Sequence, residues 1–97
     1  MNDEGKSRLR AKVVGRVQGV SFRYFVLEQA ESLDLTGWVR NMWDGSVEVL
    51  AEGLHQNLEE LLTALRVGPP MAKVANVEVE WQSYLGDFSD FRVKSSA

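Results

Sequence analysis

The sequence has no cysteine and one histidine among its 97 residues. Without cysteine there is no disulfide framework, no thiolate nucleophile and no cysteine-ligated metal site. A single histidine, His55, cannot form a cluster with the ligand spacing of a zinc site, which leaves only carboxylates as candidate ligands, for Mg²⁺. We therefore expect no metal and no other cofactor, and stability that comes from an apolar core.

Long hydrophobic runs are also missing. No segment approaches the roughly 20 apolar residues of a membrane span, and the first residues, MNDEGKSR, are polar. The 11 basic residues are outnumbered by 14 acidic ones, whereas a nucleic-acid-binding domain is normally basic. These absences predict a cytoplasmic protein with no membrane and no nucleic-acid partner.

What remains is the composition of an ordinary globule, with 44% hydrophobic and 26% charged residues. A chain of 97 residues has material for one core. We predict a flexible lead-in over residues 1–7, followed by a single domain over residues 8–97 that acts as a monomer.

Hydrophobic periodicity predicts the elements in the order βαββαβ. The first half of the chain has an alternating strand around residues 9–13, a glycine loop, a helix over about three turns from Phe22 and a strand at Thr36–Asn41. The turn Asp44-Gly45 leads into a strand around residues 47–51, and a leucine-striped helix that Gly68 ends comes next. A strand at residues 77–81 and an edge strand within residues 88–93 complete the order. This is the α+β, ferredoxin-like sandwich, an antiparallel sheet with two helices on one face.

That topology sorts the polar residues by edge of the sheet. If the first strand runs upward, the glycine loop and Arg23 lie at the upper edge. The strand that ends at Asn41 also arrives there. His55 follows a descending strand, so we expect the histidine at the opposite edge.

The glycine loop, residues 15–22, leads directly into a helix N-terminus. Free N–H groups and the positive end of the helix dipole favour an anion there, and Arg23 adds a planar fork of donors suited to two phosphate oxygens. Glycine spacing alone favours a structural turn, since it matches neither the Walker pattern nor GxGxxG. The loop therefore needs a second signal.

That signal is a family resemblance. The segments GRVQGVSFR, residues 15–23, and GWVRNMWDGSVEVLAEG, residues 37–53, resemble the two signatures of the acylphosphatase family, small enzymes that hydrolyse carboxyl-phosphate bonds. The resemblance continues through GPPMAKVANVEVEW, residues 68–81. The resemblance implies the same fold. It also implies that the protein hydrolyses an acyl phosphate to a carboxylate and inorganic phosphate without a metal. The inorganic phosphate released would also act as an inhibitor.

The resemblance also implies a site. Arg23 would bind the phosphoryl group, and Asn41 would hold the nucleophilic water. The backbone amides that would share the phosphoryl group belong to Val17, Gln18, Gly19, Val20, Ser21 and Phe22. The chain departs from the family pattern at Met42, where a polar residue is common, at Trp43, and in a C-terminus that lacks a final Arg-Tyr. We expect these departures to affect substrate affinity and specificity more than the reaction.

Other polar and aromatic residues have simpler interpretations. Ser21 has no base beside it and is expected to cap the helix through its hydroxyl. Asp44 is expected to form the turn, and Trp43 to be exposed or else to cover part of the substrate. The remaining predictions are packing roles for Trp38 and Trp81, a solvated His55 and solvated carboxylates at Glu59, Glu60, Glu78 and Glu80.

The main alternative function is a non-catalytic ferredoxin-like module that binds phosphate or another anion. An RNA-binding version is disfavoured, because residues 46–52 of the third strand carry no aromatic residue and two glutamates. Asn41 discriminates between enzyme and sensor, since a binder needs no water-positioning amide, although asparagine also braces turns. A module of a larger carbamoyl-transfer protein is a third possibility, which the short chain disfavours.

Overall fold

A computed structural model describes residues 4–97 of the chain. Its elements are β1 (Lys6–Arg16), α1 (Phe22–Ser32), β2 (Thr36–Asn41), β3 (Val47–Leu54), α2 (His55–Val67), β4 (Lys73–Gln82) and β5 (Phe91–Val93). The strands form one sheet in the order β4-β1-β3-β2-β5, with both helices packed on one face. The predicted ferredoxin-like βαββαβ order is confirmed. No helix in the described part is long and apolar enough to cross a membrane.

The sheet is mixed, where the sequence predicted an antiparallel one. Strands β1 to β4 pair antiparallel, but β5 pairs parallel to β2, with Gly37 opposite Phe91 and Val39 opposite Val93. The chain leaves β4 at the lower edge and crosses beneath the sheet before β5 begins. Because β2 also rises from that edge, the added strand can only run alongside it in the same direction.

The predicted lead-in is too long. Strand β1 begins at Lys6, because Lys6 and Ser7 pair with Leu54 and Gly53 at the end of β3. The Gly5 carbonyl also accepts a hydrogen bond of 2.7 Å from the His55 backbone N–H. Residues 1–3 of the predicted lead-in lie outside the described part of the chain.

The core lies between the sheet and the helices. Alternate residues of the two central strands face it and are fully buried, which confirms the predicted period-two pattern. The largest contributors are Leu9 and Val13 of β1, Val47 and Val49 of β3, Phe22 and Val26 of α1, and Leu58, Leu61 and Leu65 of α2. Each such side chain stabilises the fold by about 1.5–3 kcal/mol relative to an exposed one.

The helix-free face of the sheet contains two buried carboxylates that the sequence pattern did not reveal. Glu48 is 3% exposed and accepts hydrogen bonds from Arg10 and Arg40. Burial raises the pKa of its carboxyl, but the two guanidinium groups outweigh burial and hold that pKa below its ordinary value. Glu48 is therefore a paired structural anion.

Glu52 is the second buried carboxylate, 1% exposed. It accepts hydrogen bonds of 2.8–3.2 Å from the backbone N–H groups of Leu85, Gly86 and Asp87, and it lies 3.2 Å from the Arg8 guanidinium. The crossing segment after β4 thus covers this end of β3. The alternation of β3 predicted that one of its faces is polar. That this face is also buried at Glu52 follows only from the segment after β4, which is distant in the sequence.

Gly15 fixes the place where β1 turns into the glycine loop. Its φ is 137°, and a Cβ atom there would lie 2.3 Å from the Lys73 carbonyl oxygen and 2.7 Å from the Ala75 nitrogen. We expect Gly15→Ala to lower the free energy of unfolding by about 2–3 kcal/mol and the melting temperature by about 10 °C. Both backbone groups belong to β4, and neither can move away without disturbing the pairing of β4 with β1.

Gly45→Ala is the matched control for this clash. Gly45 also has a positive φ, 94°, but a Cβ there would meet nothing within 4 Å. Thermal melts should show the smaller loss that backbone strain alone produces. Equal losses in the two variants would mean that the approach of β4 to Gly15 has no energetic consequence.

Candidate functional site

A cavity of about 250 Å³ opens at the upper edge of the sheet, between the glycine loop, the start of α1 and the end of β2. Arg23 and Asn41 both line it, although they lie far apart in the sequence. The other lining residues are Val17, Gly19, Ser21, Phe22 and Tyr24. The fold therefore brings Arg23 and Asn41 to the same edge of the sheet, as the strand directions predicted.

The glycine loop is held at both ends by the core. Val17 is 1% exposed and Phe22 is 2% exposed, and the Phe22 ring packs edge-on against Phe25 at 5.9 Å. Gly19 and Ser21, between these anchors, are exposed. Burial thus fixes the loop while its middle faces the cavity.

The backbone of the loop bends through two left-handed residues, Gly19 with a φ of 72° and Ser21 with a φ of 63°. Left-handed residues within a turn direct neighbouring N–H groups towards a common centre, which makes an anion-binding concavity. Such a φ is uncommon outside glycine and marks Ser21 as a constrained position.

The prediction that the Ser21 hydroxyl caps α1 is wrong. Ser21 does occupy the position before α1, but its side chain makes no capping hydrogen bond. A capping serine normally has an extended backbone, whereas the backbone of Ser21 is left-handed. No acidic residue lies in the first turn of α1 either, so the positive end of the helix dipole stays available to an external anion.

Asn41 is the last residue of β2 and is half-buried opposite Val47. Its backbone carbonyl accepts a hydrogen bond of 3.0 Å from the Ala97 N–H. Within residues 4–97, neither its side-chain amide nor the Arg23 guanidinium has a hydrogen-bond or ion-pair partner. In the described part of the chain, two polar side chains thus line one cavity without a bonding partner.

The turn beside Asn41 is held by Asp44 instead, as predicted. The Asp44 carboxylate accepts bonds of 2.9 and 2.6 Å from the backbone N–H and the hydroxyl of Ser46. The Lys12 ammonium, 2.8 Å away, is the first cause that holds the pKa of Asp44 well below its ordinary value, and the Ser46 bonds add to it. The hairpin therefore does not depend on the Asn41 side chain.

The remaining candidates lie away from the cavity. His55 is at the opposite edge, where its Nδ1 is 3.1 Å from the Ser7 hydroxyl and its ring stacks on Trp81 at 4.4 Å. Trp38 is half-buried on the helix-free face between Arg40 and Lys94. The solvent-facing carboxylates are exposed as predicted, namely Glu59, Glu60, Glu78 and Glu80. Residues 4–97 contain no group of three or more His, Asp or Glu arranged to hold a metal ion.

Two aromatic side chains differ in their relation to the cavity. Trp43 is 84% exposed at the hairpin tip and does not line it. Tyr24 is 67% exposed and does. Sequence reasoning missed Tyr24, since a tyrosine after Arg23 matches no stripe of the helix and only the position of α1 brings it to the opening.

Comparison with known proteins identifies relatives of this arrangement. The acylphosphatase family model matches residues 9–93. An acylphosphatase of Syntrophotalea carbinolica is 52% identical over 87 residues, which cover 90% of this chain and 95% of that protein. Among solved structures, the acylphosphatase of Bacillus subtilis matches with a TM-score of 0.88 at 41% identity, covering 91% of this chain and 98% of the other. That of Coxiella burnetii matches with a TM-score of 0.90 at 41% identity, covering 97% and 98%.

Proposed function

The chain belongs to the acylphosphatase family and is a hydrolase of acyl phosphates, and from that premise we propose that Arg23, Asn41 and the loop amides carry out the reaction. The observation that supports this assignment is the cavity at the upper edge. Among residues 4–97, it combines a helix N-terminus without a side-chain cap, a guanidinium without a bonding partner and an amide without a bonding partner.

Arg23 and the loop bind the phosphoryl group in this proposal. The backbone N–H groups of residues 17–22 and the helix dipole stabilise the phosphoryl oxygens, and the Arg23 fork donates to two of them at once. Charge on these oxygens persists through the transition state, so the same donors act in binding and in catalysis.

Asn41 positions the attacking water. Its amide cannot remove a proton at neutral pH, but its carbonyl oxygen accepts and its NH₂ donates, so it can orient a water in line with the bond that breaks. A phosphate oxygen of the substrate accepts the proton of that water. The acyl carboxylate leaves without strong acid catalysis because it is a good leaving group, and these steps require neither a metal nor a covalent intermediate.

One residue at the opening of the cavity supports a location for the acyl part of the substrate. Tyr24 lines the opening with two thirds of its surface exposed. Its ring offers an apolar face that the phosphate group cannot use. We propose that the substrate is a small acyl phosphate and that its acyl group lies against this ring.

A non-catalytic anion sensor is not favoured. The loop alone would be sufficient for binding phosphate. An amide at position 41 is needed only if a water must be oriented, because Asp44 already holds the hairpin turn.

We also propose that the protein acts as a monomer in the cytoplasm. One chain supplies every residue that lines the cavity, and no cysteine calls for an oxidising compartment.

The experiment that tests this function is hydrolysis of an acyl phosphate in excess EDTA. We expect full activity, competitive inhibition by inorganic phosphate, and hydrolysis of an ordinary phosphate monoester at least about 10²-fold slower, because an alkoxide leaves less readily than a carboxylate without acid catalysis. The release of phosphate measures all three. Activity that disappeared with EDTA and returned with Mg²⁺ or Zn²⁺ would refute the metal-free mechanism.

A further inference from the structure

The side chain of Gln18 joins the two halves of the cavity. It lies in the glycine loop, and its Nε2 donates hydrogen bonds of 2.8 Å to the Met42 carbonyl and 2.9 Å to the Ser46 carbonyl. Both acceptors belong to the hairpin between β2 and β3. Because both are carbonyl oxygens, only the NH₂ end of the amide can face them, so the orientation of the side chain is defined by its partners.

The hairpin does not need these bonds in order to close. The Met42 carbonyl also accepts from the Gly45 N–H at 3.1 Å, and the Ser46 carbonyl accepts from the Met42 N–H at 2.9 Å. Removing the Gln18 amide would therefore leave no carbonyl without a donor. What it would remove is the pair of hydrogen bonds that connects the hairpin to the loop.

That connection spans the two elements that share the proposed chemistry. Arg23 and the loop amides lie on one side, and Asn41, the residue before Met42, lies on the other. The distance between the phosphoryl group and the attacking water depends on how these two segments are joined.

We propose that Gln18 is a positioning residue for acyl phosphate hydrolysis, whose side-chain amide holds the water-binding end of β2 in register with the phosphate-binding loop. The proposal rests on the roles given above to Arg23 and Asn41. The Gln18 side chain itself does not touch the substrate. Its effect is to keep two bound groups at reacting distance, where a displacement of about 1 Å costs on the order of 10²-fold in rate.

Gln18→Met is the first test, because methionine has a similar length and no donor. We expect kcat per folded molecule to fall at least about 10-fold while the inhibition constant of inorganic phosphate stays within about threefold, since the loop still carries its own amides and Arg23. Gln56→Met makes the same change at an exposed position in the first turn of α2, at the opposite edge, and should behave as wild type.

Gln18→Glu supplies a readout that a merely structural residue would not affect. Its carboxylate would face two carbonyl oxygens and repel them, whereas its protonated form can donate to one of them. The carbonyl dipoles favour the neutral form, so its pKa should exceed the usual value of about 4.3. We expect the ratio of variant kcat to wild-type kcat to rise at least about threefold between pH 7 and pH 5. The ratio cancels the titration of the substrate.

The outcomes separate this inference from the proposed function. If the wild type did not hydrolyse acyl phosphates, the function would fail first. If the wild type were active and Gln18→Met kept its kcat within twofold after correction for the folded fraction, the positioning role would be wrong. If that variant did not fold, the Gln18→Glu ratio, measured below its melting temperature, would decide, and a ratio independent of pH would overturn the inference.

Discussion

Arg23→Ala should reduce kcat/KM for an acyl phosphate at least about 10²-fold, which corresponds to about 3 kcal/mol of lost transition-state stabilisation. The inhibition constant of inorganic phosphate should rise as well, because in the proposed mechanism the guanidinium contacts the phosphoryl group both in the bound state and in the transition state. Steady-state kinetics together with phosphate titration measure both effects. Near-normal phosphate affinity in this variant would remove Arg23 from the site.

Two further variants show whether the fork or only its charge matters. Arg23→Lys keeps the charge but loses the planar pair of donors, and we expect an activity between those of the wild type and Arg23→Ala. Arg66→Ala removes the same charge from the last turn of α2, where the side chain is exposed and outside the cavity lining. If Arg66→Ala lost as much activity as Arg23→Ala, a general electrostatic field would explain the result better than a direct contact.

Asn41→Ala is expected to lower kcat at least about 10²-fold and to leave the affinity for inorganic phosphate within a few-fold of normal. The reason is that an oriented water matters mainly in the transition state, while we propose that phosphate itself is bound by Arg23 and the loop. The melting temperature should change little, because the amide of Asn41 has no bonding partner within residues 4–97. Kinetics, phosphate titration and thermal melts on one preparation give all three values.

Asp44→Ala is the matched control on the same hairpin. It removes the bonds to Ser46 and the ion pair with Lys12, so it should melt at a lower temperature while losing much less activity than Asn41→Ala. The opposite pattern, a lower melting temperature and a modest loss of activity for Asn41→Ala, would mean that the asparagine braces the turn. Its catalytic role would then be lost.

The hydrogen bonds of the Gln18 side chain could not be predicted from the sequence. The family resemblance assigned this residue a backbone amide and said nothing of its side chain. A glutamine can bond to any nearby carbonyl, so its partners follow only from the approach of the hairpin to the loop. The same holds for Ser21, whose residue type predicted a cap although its side chain makes no capping hydrogen bond.

The sequence by itself determined the elements, their order and the edge at which Arg23 and Asn41 meet. Periodicity depends on local geometry alone, and the direction of each strand follows from the one before it. Only the tertiary structure decided the parallel pairing of β5, the burial of Glu48 and Glu52, and the exposure of Tyr24 at the cavity. These depend on contacts between segments distant in the chain, where burial and bonding partners are set by packing that no local pattern records.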